Sequence, residues 1–254
     1  MNVCIWRLPA EEQIVRGRSH CRKCRKVIAW YDNVPVVSFI MLGGKCRSCG
    51  SRISWVYPVV ELVTGFLLLG TVIRFGITVK ALVYFILEAA LIVVTVIDAR
   101  EMIIPDEITK PGLVIGLILS FLVPGLHGVW GRWAGLSAGV VGAAVGWGTI
   151  FIMAFIGTRL FRKKLKAIGE ESAMGGGDLK LMAMVGAFIG WPKVLLVNLF
   201  FAPLVGSMVG LVMKFRKGQD IIPYGPFLVL GTVAAIFWGD PMIHWYFNLF
   251  MVRP

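Results

Sequence analysis

The chain has 254 residues, of which 57% are hydrophobic and only 16% charged, with a formal net charge of +12 and a mean hydropathy of +0.80. A water-soluble domain cannot hide so much apolar surface, because its outer layer must face water; in a bilayer the outer layer is itself apolar. The basic residues do not gather into the patch of a nucleic-acid binder. They fall between apolar runs, which argues against nucleic acid as a partner and points to the cytosolic loops of a lipid-embedded, multi-pass protein.

Residues 1–57 read as a polar, basic, water-exposed subdomain. The opening Met1 to Pro9 has no apolar stretch long enough for a cleavable signal peptide. All five cysteines (Cys4, Cys21, Cys24, Cys46 and Cys49) precede the apolar remainder. In the reducing cytosol such thiols bind metal rather than form disulfides. Cys21-Arg-Lys-Cys24 and Cys46-Arg-Ser-Cys49 form two CxxC pairs, a spacing that can set four thiolates around one tetrahedral Zn2+. Four protein ligands leave no open position, so the expected site is structural; redox-active thiols are the alternative, and Cys4 is a bystander. Gly43, Gly44 and Gly50 suit tight turns. The basic neighbours Arg22, Lys23, Lys45 and Arg47 are expected to favour thiolates.

Residues 58–254 carry apolar runs near Val59–Phe75, Ala81–Ile97, Pro111–Val123, Gly135–Phe155, Leu179–Ile189, Val194–Met213, Phe227–Trp238 and Ile243–Met251. A helix crossing hydrocarbon needs about 20 residues, so the shorter runs read as half-helices, tilted neighbours or re-entrant pieces. With residues 1–57 in the cytosol and the runs alternating, every Lys and Arg except Arg74, Lys80, Arg132 and Lys193 lies on the cytosolic side, Arg253 at the end included. Gly135 and Gly139, Gly142 and Gly146, and Gly206 and Gly210 have the small-xxx-small spacing of close helix packing. The fold class that follows is an all-α polytopic membrane protein with a small cytosolic zinc-binding subdomain.

Only 14 residues are acidic. Asp98 closes the run that ends at Ile97. Ile104-Pro105-Asp106-Glu107 follows shortly after, and Asp178 follows Met174-Gly-Gly-Gly177. Taken singly, each aspartate has a plain explanation as a helix cap, a turn or a solvated helix end. Taken together, the topology puts Asp98 and Asp178 at the same cytosolic boundary on different helices. Two nearby carboxylates share a proton: one can take a proton from water while the other hydrogen-bonds a scissile carbonyl. The glycines before Asp178 are expected to give the backbone unusual dihedrals beside a substrate strand. No HExxH is present, and His20, His127 and His244 are scattered. Glu61 and Glu88 lie within apolar runs, so each is a candidate for site support or for helix–helix hydrogen bonding. An ion- or proton-coupled transporter is the reading from a different class, and a zinc-bearing scaffold a third.

At these residues the chain resembles the type IV prepilin peptidases, membrane aspartic proteases with a GxGD motif. Gly175-Gly-Gly177-Asp178 fits that motif, and Ile97-Asp98 through Ile104-Pro105-Asp106 is similar to the family's first aspartate motif. Leu42-Gly-Gly-Lys-Cys46, Tyr57-Pro-Val-Val-Glu61 and Ile222-Pro-Tyr-Gly-Pro226 extend the likeness over nearly the whole chain. The resemblance implies catalytic Asp98 and Asp178, with Gly175, Gly177 and Asp106 supporting the loop. It implies cleavage of the basic leader of type IV prepilins or type II secretion pseudopilins after glycine, at the bacterial inner membrane. The CxxC quartet implies the bifunctional branch, which then methylates the new amino terminus using S-adenosylmethionine, with Gly44 and Lys45 as candidate contacts to the donor. A peptidase without methyl transfer is the alternative, since no strand followed by GxGxxG is visible. Family members carry a membrane helix ahead of the segment resembling Asn2-Val to Arg7-Leu-Pro9; the chain opens at that segment, so this helix is expected to be absent. The acidic Glu101, Glu107, Glu170 and Glu171 are expected to attract the basic leader, and the basic loop Arg159–Lys166 to mark topology.

Overall fold

The computed structural model describes residues 1–10, 12–13, 19–167, 169–217 and 222–251, without the side chains of residues 217, 250 and 251. Arg253 lies outside the described residues. Among those described, the chain is helical, with two isolated β-bridges, His20 to Val27 and Lys45 to Arg52. The helices are α1 Asn2–Arg7, α2 Val37–Met41, α3 Val56–Phe75, α4 Val79–Glu101, α5 Asp106–Leu122, α6 Arg132–Leu160, α7 Arg162–Ala167, α8 Gly176–Ile189, α9 Trp191–Leu196, α10 Ala202–Lys217 and α11 Gly225–Met251. Among the described residues, five stretches are long and apolar enough to cross a membrane: α3, α4, α6, Trp191–Arg216 and Gly225–Leu249. The protein is a multi-pass membrane protein.

The short helix α8 is the axis of the bundle. Every residue from Leu181 to Ile189 is buried, so this 14-residue helix faces protein rather than lipid and need not reach across the hydrocarbon on its own. Glycine makes this possible. Gly135, Gly139, Gly142 and Gly146 are buried along one stripe of α6. A Cβ at Gly142 would run into the carbonyl oxygen of Gly186, and one at Gly146 into that of Met182. Bare backbone therefore meets bare backbone, as small-residue spacing allows in lipid. Gly206 does a different job: a Cβ there would lie 3.3 Å from the rings of Tyr224 and Phe227.

The runs Phe227–Trp238 and Ile243–Met251 are not separate spans; they form one helix, α11, with Pro241 inside it. An interior proline normally ends a helix because it lacks an N–H and frees the carbonyl four residues back. Here that carbonyl, of Phe237, accepts a hydrogen bond from Arg74 Nε at 3.2 Å. The other three basic residues on that side are also engaged. Lys193 pairs with Asp240 at 2.9 Å, Lys80 donates to the Gly125 carbonyl, and Arg132 lies over the Phe121 ring. Within the helix α9–α10, a wider π-turn at Val197–Phe201 holds buried Asn198, which donates to the Gly146 carbonyl at 3.2 Å.

Glu88 is fully buried and accepts a hydrogen bond from Thr71 at 2.8 Å, tying α4 to α3. Glu61 accepts from Asn2 Nδ2 at 3.2 Å and from the Val36 N–H at 2.8 Å. Of the two readings of these acids, the structure shows element-to-element hydrogen bonds.

Candidate active site and metal cluster

Asp98 occupies the last turn of α4. That helix stops at Met102, which takes a left-handed conformation (φ 55°) and donates its N–H to the Asp98 carbonyl. The Asp98 side chain is 6% exposed. Its Oδ2 accepts the N–H of Gly225, the first residue of α11, at 3.0 Å. A Cβ on Gly225 would lie 2.6 Å from that oxygen, so only glycine lets the two elements close up here.

Asp178 is the third residue of α8 and is 7% exposed. Its Oδ2 accepts the Gly175 N–H at 3.3 Å, which caps the helix that carries it. The glycine run does not work as the sequence suggests. Gly175 has ordinary extended dihedrals, and none of Gly175, Gly176 and Gly177 has a positive φ. Small size is what matters: a Cβ on Gly177 would sit 2.8 Å from Ile104 Cβ, pushing α8 off the loop that leads to α5.

Asp98 and Asp178, from different helices, lie within electrostatic range of each other. Asp106 opens α5 and pairs with Lys180 of α8 at 2.6 Å and with Lys110 at 2.7 Å. Lys180 is two positions past Asp178, so Asp106 ties the start of α5 to the first turn of α8. The structure thus brings Asp98, Asp178, Gly175 and Gly177 together, with Asp106 one ion pair away. Two further residues lie beside this pair; the Ile222–Pro226 likeness takes them in but assigns neither a role. Gly225 supplies the amide that holds Asp98, and Tyr224 lies within electrostatic range of Asp178. The Tyr224 hydroxyl is buried with no hydrogen-bond partner. The available signal was Gly225-Pro226 as a helix start, on the loop that the charge pattern places on the same side as both aspartates.

Cys21, Cys24, Cys46 and Cys49 place their sulfurs within 4.8 Å of one another. A tetrahedron with Zn–S near 2.3 Å has edges of about 3.8 Å; Cys21 and Cys49 are 3.8 Å apart. The donor set and its size fit zinc. The two CxxC turns repeat one design. Cys21 N–H donates to the Lys26 carbonyl and Arg25 N–H to the Cys21 carbonyl; Cys46 N–H donates to the Ser51 carbonyl and Gly50 N–H to the Cys46 carbonyl. The residue after the second cysteine is left-handed in both, Gly50 at φ 66° and Arg25 at φ 59°. The backbone N–H groups of Cys24 and Lys23 draw the Cys21 thiol down to about 6, and the Ser51 hydroxyl lowers Cys49. Two of the four basic side chains expected to do this are engaged elsewhere: Arg22 lies 4.0 Å over the Trp6 ring and Arg47 is paired with Asp32 at 2.7 Å. Arg100, two residues past Asp98, lies 3.7 Å over the same Trp6 ring, which links the cluster to the end of α4.

A cavity of about 750 Å³ opens between α1, the cysteine turns and the start of α3, lined by Trp6, Tyr31, Asp32, Tyr57 and Glu61 among others. Gly44 and Lys45 sit in the turn entering the second CxxC pair. Gly44 is left-handed at φ 67°, and neither residue lines this cavity.

Residues 1–75 match the bacterial peptidase A24 N-terminal domain, and residues 85–211 match the type IV leader peptidase family. The second match takes in Asp98, Asp106 and Asp178 and ends before Gly225. The chain is 38% identical over 240 residues to the prepilin leader peptidase/N-methyltransferase of Burkholderia pseudomallei (strain 1026b), covering 92% of this chain and 71% of that protein. It is 36% identical over 222 residues to the protein of the same name from Myxococcus xanthus (strain DK1622), covering 86% of this chain and 60% of that protein. It is 33% identical over 250 residues to that from Bacillus subtilis (strain 168), covering 96% and 90%. The chain therefore spans less than two thirds of the Myxococcus protein. No solved structure matches. With both aspartates inside the matched region and relatives at this identity along most of the chain, the protein belongs to the type IV leader peptidase family.

Proposed function

We propose that the chain is a membrane aspartic endopeptidase that removes the basic leader of type IV prepilins or type II secretion pseudopilins after glycine, and then methylates the exposed amino terminus. The observation that carries the first half is the pair of buried carboxylates, Asp98 and Asp178, presented from two helices and each held by a glycine N–H. Two such groups cannot both ionise readily, so one stays charged and the other keeps a proton. The charged member takes a proton from water as that water attacks the scissile carbonyl carbon. The protonated member hydrogen-bonds the carbonyl oxygen and then supplies a proton to the leaving amine. The pair acts as one unit, with acid and base defined by the pair rather than by either residue. The buried, unpartnered Tyr224 hydroxyl adds a donor for the carbonyl oxygen as it gains charge.

Zn2+ at Cys21, Cys24, Cys46 and Cys49 organises the subdomain by replacing the hydrophobic core that so short a segment lacks. S-adenosylmethionine, when bound, supplies an electrophilic methyl group to the new amine. The cavity beside the cysteine turns offers room for it; Gly44 and Lys45 lie in the adjoining turn, outside its lining. The bias of Lys and Arg toward the loops next to the aspartates and cysteines supports a cytosolic position for both, at a bacterial inner membrane. The exposed Glu101 and Glu107 flank the Asp98 turn with charge opposite to that of a basic leader.

Purified protein incubated with a prepilin, with and without the methyl donor, tests both halves by mass spectrometry. Leader loss is expected in both samples and an added methyl only with the donor. Intact prepilin in both would refute the peptidase. Cleaved but unmethylated product in both would reduce the activity to proteolysis. Replacing Cys46 and Cys49 by serine should drop bound zinc from about one per chain to well below that; unchanged zinc would remove the cluster as its site.

A further inference from the structure

The tetracysteine subdomain presents an apolar face that the chemistry above does not use. On α2 and its surroundings, Trp30 is 78% exposed, Ile40 70%, Met41 79% and Trp55 72%. Isolated exposed apolar residues are ordinary, but several this open on one short helix and the segments packed beside it mark a contact surface. Two observations fix its position. Phe39 of α2 packs on Trp55 with ring centroids 4.7 Å apart, and Trp55 immediately precedes α3, the first helix long and apolar enough to span. The Val36 N–H, just ahead of α2, donates to Glu61 at 2.8 Å. Glu61 is five residues into α3, about 8 Å along its axis. The short helix is thus held abreast of the opening turns of a helix long and apolar enough to span.

We propose that α2 and Trp55 form an interfacial foot: Ile40, Met41 and Trp55, with Trp30 beside them, insert into the cytosolic leaflet and seat the cysteine turns on the membrane surface. The occupant is lipid because the face continues from α3. The outward side chains Val59, Leu62 and Phe66 there are 51%, 46% and 69% exposed, on a helix of which only 17% is buried within the protein. Tryptophan at the water end of a spanning helix is the usual interfacial anchor. A short helix with one apolar face lies in the same layer. A seat of this kind would hold the cysteine turns, and the Trp6 stack beside them, at a constant height above the end of α4.

The test uses the full chain in native membranes, with the photoreactive amino acid p-benzoylphenylalanine placed singly at Met41, at Phe66 as a lipid-facing reference, and at Ser48 on a cysteine turn. Irradiation should give phospholipid adducts at position 41 within about threefold of position 66 and about tenfold above position 48. The Met41 side chain is mostly exposed, so the substitution leaves the fold intact, and adducts at position 66 report correct insertion in every sample. Adducts at 41 to protein alone, whether a substrate or a second copy, would overturn the proposal, as would a lipid yield at 41 no higher than at 48.

Discussion

The Asp98 carboxylate depends on a backbone group 127 positions away in sequence, the N–H of Gly225. The adjacent side-chain position must stay empty, since a Cβ there would approach the same oxygen to 2.6 Å. Gly225→Ala should therefore turn the Asp98 side chain or displace the start of α11. Cleavage should fall about 10²-fold, the usual cost of misplacing a reacting group by an ångström. A kinetic assay with unchanged kcat would contradict this role. Tyr224→Phe removes only an oxygen that has no partner in the resting protein, so folding should be unaffected. If that hydroxyl meets the developing oxyanion, kcat should drop about 10²-fold with KM nearly unchanged. Equal kcat would exclude it from the transition state. The Ile222–Pro226 likeness draws notice to both residues, but the role of Gly225 could not be read from it, because an amide contact across 127 residues leaves no local pattern. Asp98 and Asp178 could be singled out as candidates for the opposite reason, each being an acid at the edge of an apolar run. The glycines before Asp178 stood out in the sequence, but for a different cause: none has a positive φ, and Gly177 alone lets Ile104 come close.

Among the elements, the contact between α6 and α8 rests on glycines that the sequence revealed through four-residue spacing, and the structure gives each a specific neighbour. Gly142→Ala would force a methyl group into the Gly186 carbonyl, whereas Gly148 on the same helix has nothing within 4 Å of its added Cβ. Thermal unfolding in detergent should show Gly142→Ala destabilised by about 1–3 kcal/mol, the usual range for overpacking. Gly148→Ala should be neutral or stabilised by about 0.5–1 kcal/mol through the ordinary alanine preference of helices. Equal melting of the two would mean the helices do not meet at bare backbone. The continuity of α11 was not legible. Pro241 divides its apolar pattern, and the arginine that satisfies the freed carbonyl lies at the end of α3. Arg25 was hidden in the same way: its left-handed turn is visible only once the two CxxC turns are compared as structures.

Across the whole molecule, the apolar runs, the cysteine pairs and the uneven distribution of basic residues define a helical membrane protein with a head whose four cysteines could hold a metal, as their chemistry leads one to expect. What pattern alone does not convey is how the parts are tied. The Asp106–Lys180 pair joins α5 to α8. Trp6, with both Arg22 and Arg100 over its ring, joins the cysteine turns to α4. Glu61 joins α1 and the α2 loop to α3. These links are long in sequence and rely on side-chain direction, which periodicity does not encode. Their joint effect is to hold the ends of α4 and α8 so that two acids converge. The most direct measurement of that claim is prepilin cleavage by Asp98→Asn and Asp178→Asn, assayed separately in membranes where insertion and zinc content match the parent. Each single change should abolish cleavage, because one carboxylate alone can neither share the proton nor divide the two roles. Full cleavage by either variant would contradict the account.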